Sequence, residues 1–235
     1  MGLLDIFKRK LKYQHKDVEI WYDLSESNSD KLIKIDIGNI NLPTGKIIAS
    51  DPFFTDSIKP FTRTISPGTY PVKVYIAEVE PEHYRIAFAK IKFRPTPASN
   101  WILAVTNDMK LEDLTTLKEG EYFGFPVDAG LACFIDVETN AKYLSKMNKF
   151  YKENPDQNYY DDLLAEEFEK YSSGNKYSRD FGDWNNHVID NASGLNTIMF
   201  ASGWGDGYYP TYWGHSDSNE TVELTIDFMI NLDEE

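Results

Sequence analysis

Apolar and polar residues alternate with a period of two over several stretches of this chain, the pattern of half-buried β-strands. Ile33, Ile35 and Ile37 alternate with Lys34 and Asp36 inside a strand-like region running from Val18 to Asp51. Pro43-Thr-Gly45 predicts a turn into a second strand, Lys46-Ile-Ile-Ala-Ser50. Asp51-Pro52 closes that strand, because proline restricts the residue before it and donates no hydrogen bond. Pro67-Gly-Thr-Tyr70 reads as another turn, after which Val72, Val74 and Ile76 alternate with Lys73, Tyr75 and Ala77. The phase shifts at Val79, marking a bulge or the strand's end. Pro81-Glu-His-Tyr84 leads on to Arg85–Phe93, so the two runs predict an antiparallel hairpin. The short apolar run Trp101-Ile-Leu-Ala-Val-Thr106 reads as a more central strand.

Helical spacing takes over in the middle of the chain. Asp136 is an acidic cap for a helix reaching Tyr151, with Ala141, Leu144, Met147 and Tyr151 on its apolar face. Tyr160, Leu163, Leu164, Phe168 and Tyr171 predict a second amphipathic helix, and Asp161, Asp162, Glu166, Glu167 and Glu169 form its wet face. Residues 172–194 read as a long polar loop carrying Trp184 and His187. Strands return at Asn196–Ala201 and Val222–Ile230. The expected fold is α+β: a mainly antiparallel β-sheet or sandwich, with two or three helices in the middle of the chain. Residues 18–235 form one domain in this reading, preceded by a short basic amphipathic leader over 1–17.

Charge divides along the same line. Lys8, Arg9, Lys10, Lys12 and Lys16 against Asp5 give residues 1–16 a net +4, so the rest of the chain carries −18 of the total −14. A body that acidic repels phosphate backbones, which excludes general nucleic-acid binding and suits a basic protein partner. Leu3, Leu4, Phe7 and Leu11 make one helical stripe in the leader, but about two turns of isolated helix are marginal in water, so membrane contact is not expected. The basic start lacks a long apolar core of a signal peptide, and the single cysteine, Cys133, builds no disulfide framework. The expected compartment is the cytoplasm. Cys133 sits among Leu131, Ala132, Phe134 and Ile135 and is expected to be a buried structural thiol.

Candidate chemistry centres on Ala201-Ser-Gly-Trp-Gly-Asp-Gly-Tyr-Tyr-Pro-Thr-Tyr-Trp-Gly214. Such a run is either a tightly built turn in a core or the wall of a binding site. Its candidate binding residues are Trp204, Asp206, Tyr208, Tyr209, Tyr212 and Trp213, joined by Asp51 and Asp128. If the acids converge, they offer oxygen ligands for Ca²⁺ or Mg²⁺, or a general acid–base pair. Held apart, each fixes a turn by accepting backbone N–H groups. No nucleophile elbow, phosphate loop or helical histidine pair accompanies them, so catalytic residues stay unassigned and neither metal nor cofactor is expected. His187 and His215 form a metal pair only if the long loop brings them together. Arg85, Lys90 and Lys92 read as solvated charges on a strand face.

Three separated motifs carry a family resemblance. They are Gly45-Lys-Ile-Ile-Ala-Ser-Asp-Pro52, Phe125-Pro-Val-Asp-Ala-Gly130 followed by Cys133-Phe-Ile-Asp136, and the Gly203–Gly214 run ending in Asp227-Phe228. Over roughly residues 35–230 the chain resembles the bacterial family catalogued as domain of unknown function 4241. Leu131-Ala132 departs from the small polar residues expected there, which argues against chemistry by that turn's side chains. The resemblance implies a fold boundary and no activity. Two functions remain open: a non-enzymatic module, of immunity or regulatory kind, engaging a protein partner, or an enzyme or small-ligand binder using clustered aspartates, with or without a divalent cation.

Overall fold

A computed structural model describes residues 32–109 and 122–230. The basic leader and the first part of the predicted strand region therefore lie outside the described residues. The strands are β1 (Leu32–Leu42), β2 (Ile47–Ser50), β3 (Gly68–Glu80), β4 (His83–Lys92), β5 (Asn100–Leu103), β6 (Gly124–Val127), β7 (Leu131–Asp136), β8 (Trp184–Asp190), β9 (Leu195–Ala201), β10 (Gly207–His215) and β11 (Thr221–Asp227). Between β7 and β8 come helix α1 (Val137–Glu153), a π-helical turn (Tyr160–Leu164) and helix α2 (Ala165–Ser172).

Every strand pairing is antiparallel. The larger sheet runs β1-β3-β4-β11-β10-β5, with β6 also on β10, and the smaller runs β2-β7-β9-β8. The chain is thus α+β, with helices segregated to one face. Ile40, Val72, Val74, Phe134, Trp184, Phe200, Trp213 and Leu224 fill the space between the sheets. On the far side of the smaller sheet, Ile48, Cys133, Ile135 and Met199 pack under Tyr143, Tyr159, Leu164 and Phe168 of the helical layer.

Two features set the margins of this sandwich. At one margin β1 breaks register between Asp36 and Asn39, where Gly38 takes φ 109°. There the Asn41 N–H donates to Asn196 Oδ1 (2.9 Å), and Asn196 Nδ2 donates to the Asn39 carbonyl (2.8 Å), tying β1 to β9 of the other sheet. At the opposite margin β10 changes neighbours. Gly207–Pro210 pair with β6, Tyr212–His215 pair with β5, and Thr211 falls between them.

Several expectations are corrected. Pro67–Tyr70 is not a turn beyond its first residue, since Gly68 already pairs with Leu42 in β3. Trp101–Thr106 is not central: β5 is a four-residue edge strand on β10. The polar loop at 172–194 contains β8, whose Trp184 enters the core while Asn185 and His187 turn to the helices. α1 has its Asp136 cap, but Thr139, Asn140 and Tyr143 face inward, and Ala141 and Tyr151 are exposed. The shift at Val79 is a true register break, between Glu78 and Glu80.

Candidate functional site

The glycine–aromatic run divides into a turn and a strand. Residues 207–214 lie in β10, so Tyr209 and Trp213 point between the sheets while Tyr212 packs on the outer face of the larger sheet. Alternation along the strand sends the three to the two faces of the sheet, each of which holds its own apolar cluster. Trp213 meets Phe61 edge-on at 6.0 Å, and the Arg63 guanidinium lies 5.5 Å from its ring. Burial, then the charge of Asp206, pushes the Tyr209 phenol up to about 12.

The turn before β10 presents what the strand hides. Trp204 is 59% exposed and Tyr208 is 45% exposed. Gly203 (φ 59°) and Gly205 (φ 103°) adopt left-handed backbone that glycine takes without strain. A Cβ on Gly203 would stand 2.7 Å from Phe228 Cβ, so the turn also needs glycine for close approach. The Gly205 carbonyl accepts from Ser202 Oγ (2.8 Å) and Tyr209 Oη (2.8 Å), and the Gly205 N–H donates to the Ser202 carbonyl (3.0 Å). The Trp204 indole rests beside the Arg85 guanidinium (5.5 Å) and His83 (6.1 Å). Arg85 is therefore no isolated strand-face charge: it abuts the motif. Tyr84 and Tyr177 form a neighbouring edge-on pair at 5.1 Å. Tyr208 stacks on Tyr122, whose hydroxyl donates to the Tyr208 carbonyl (3.0 Å).

Asp51 and Asp206 flank one turn, Asp128–Gly130, and hold its backbone. Asp51 is fully buried: Oδ1 accepts from Phe53 N–H (2.9 Å), and Oδ2 accepts from Asp128 N–H (3.0 Å) and Ala129 N–H (2.9 Å). Asp206 Oδ1 accepts from Gly130 N–H (3.1 Å) on the other flank, while the Asp128 residue itself is exposed. Asp136 caps α1 through Glu138 N–H and also accepts from Thr44, and Asp227 takes the Met229 N–H (2.7 Å). Among the described residues, no group of three or more His, Cys, Asp or Glu is placed to hold a metal ion.

His187 and His215 lie on different sheets. His187, on β8, faces Glu167 Oε2 through Nδ1 (2.7 Å) and the Tyr159 hydroxyl through Nε2 (3.2 Å). His215, at the end of β10, faces Arg63. Burial and then the Arg63 charge lower its imidazole to about 4. Cys133 is buried, and burial followed by the Asp51 charge drives its thiol far above the usual range, which keeps it protonated and inert.

Sequence reasoning missed two charged groups that join elements, one buried and one at the rim. Lys90 and Lys92 are not solvated: their ammoniums reach Glu223 at 3.1 and 2.8 Å, and Trp101 Nε1 donates to the same carboxylate (2.9 Å). Burial would raise the Glu223 carboxyl, but the two lysine charges and the bonds from Lys92 and Trp101 outweigh it and hold the group at about 2. The signal was present in spacing: like charges at i, i+2 on β4 face Glu223 and Thr225 across β11. Glu167 is the other, an acid of the wet helix face that in fact reaches His187 and Asn185.

No curated protein and no solved structure matches this chain. The family described as protein of unknown function (DUF4241) matches residues 40–226, and with most of its length inside that match the chain belongs to this family.

Proposed function

We propose that the protein is a non-enzymatic binding module of the cytoplasm, of immunity or regulatory kind, which grips a protein partner through the Trp204 corner. The observation that carries this reading is a large exposed indole on a turn fixed by two left-handed glycines, the Ser202–Gly205 bonds and Asp206. Exposed Trp, Tyr and Arg held in place are the side chains that dominate interface energetics, because little conformational freedom is lost on contact. Arg85 supplies a neighbouring cation, its guanidinium 5.5 Å from the Trp204 ring. The acids Asp161, Asp162, Glu166 and Glu169 are exposed on the helical layer and add attraction for a basic partner. Engagement of the Asp51 and Asp206 carboxylates by backbone N–H groups supports this reading over catalysis by clustered aspartates.

The test is a partner recovered from the cells that make the protein, titrated against wild type and Trp204→Ala. The variant is expected to weaken binding at least tenfold, about 1.4 kcal/mol, with an unchanged melting temperature. Binding should also weaken as salt is added. A full-affinity Trp204→Ala protein would remove this corner from the interface.

A further inference from the structure

The change of neighbours along β10 leaves a pocket of about 190 Å³ at this margin of the sandwich. Ala49, Phe61, Ala104 and Phe125 supply an apolar lining, and Thr211 lies at the break between β6 and β5. Thr211 is 2% exposed, and its Oγ1 has no hydrogen-bond partner among the described residues. A buried hydroxyl without a partner is destabilising, so a lining that holds one favours a ligand able to satisfy it. Lys59 and Asp108 also line this pocket; both are exposed, and they carry opposite charges. Asp108 is held by Thr106 Oγ1 (2.5 Å).

Size narrows the choice. An apolar cavity of about 150 Å³ accepts benzene, whereas drug-sized ligands need roughly 300 Å³ or more. We infer that this pocket binds a monocyclic phenol or a similarly compact hydroxylated aromatic, its ring against Phe61 and Phe125 and its hydroxyl bonded to Thr211 Oγ1. Opposite charges on the lining disfavour a ligand of either net sign and suit a neutral or zwitterionic one. Tyr208 borders this pocket as well as the Trp204 turn, but the pocket excludes Trp204 and Arg85 and needs no protein partner to be tested.

The experiment titrates phenol and toluene into the full-length protein, followed by chemical shifts of the amides around Thr211 and by melting temperature. Wild type is expected to prefer phenol roughly tenfold, the discrimination that one buried hydrogen bond provides. Thr211→Val keeps the shape and β-branching of the side chain and should abolish that preference while retaining toluene. Ala104→Phe, which fills the space, should abolish binding of both. Equal affinity of wild type for the two probes, an unchanged preference in Thr211→Val, or no saturable shift with either probe would each overturn the assignment. If Ala104→Phe does not fold, the Thr211→Val comparison alone decides.

Discussion

The larger sheet buries a carboxylate between two ammoniums, whereas the helix-covered side of the smaller sheet buries an imidazole between a carboxylate and a phenol. In the first system Glu223, Lys90 and Lys92 all sit on adjacent strands in fixed register, Lys92 opposite Glu223 and Lys90 opposite Thr225. None of the three is more than 7% exposed. Their charges are committed to the ladder, so a one-residue slip of β11 would carry Glu223 to the other face and strand both lysines. In the second system the carboxylate sits at the rim: Glu167 is about one-third exposed, and His187 and Tyr159 extend inward from it. One arrangement defines strand register. The other fastens the helical layer to β8 through a carboxylate at the solvent rim, where solvent screens part of its electrostatics.

Breaking the first system should have the larger effect. Glu223→Ala leaves two buried ammoniums without the carboxylate they share, and a loss of about 3–5 kcal/mol in urea unfolding is expected. His187→Ala removes a fully buried ring and its contacts to Glu167 and Tyr159, with an expected loss of about 2 kcal/mol. Tyr159→Phe deletes only the hydroxyl and should cost about 1 kcal/mol. If His187→Ala proves as damaging as Glu223→Ala, the distinction between a committed interior charge and a rim charge fails.

Acid sharpens the contrast more gently. The Glu223 carboxyl is depressed from 4.5 to about 2, so its contribution is fully present above pH 4.5 and disappears as pH falls towards 2. His215 is depressed from 6.5 to about 4 by burial and Arg63, so its neutral form favours the native state above pH 6.5 and that stabilisation is lost as pH falls to 4. Wild type should therefore lose stability in two windows, read by denaturation at each pH. His215→Gln should flatten the upper window and leave the lower one in place.

Elements built on alternation were legible in the sequence. The β3–β4 hairpin and the Asp136 cap of α1 follow from local chemistry, and the burial of Cys133 follows from its apolar neighbours. β8 was not legible, because Asn185 and His187 turn a polar edge inward and are satisfied by Glu167, which erases the polar–apolar contrast that marks a strand. α1 is rotated from its apparent apolar stripe for a related reason: Thr139, Asn140 and Tyr143 face the sheet, and Asn140 bonds the Thr55 carbonyl. Within the aromatic run, glycines and Pro210 disguise β10 as loop, so the sequence identified the rings but not which of them meet solvent. Turn fixation by Asp51 and Asp206 was foreseeable from aspartate's habit of accepting backbone N–H groups. Their convergence on a single turn required the fold.

The asparagine link between β1 and β9 gives the sandwich a side-chain seam at one margin. Amide side chains stitch the two sheets there, whereas near β10 the backbone of Phe61 joins them, its N–H on the Ile47 carbonyl and its bridge to Thr106. Removing the Asn196 side chain would therefore strip the Asn41 N–H and the Asn39 carbonyl of these bonds while the Phe61 seam beside Thr211 stays in place.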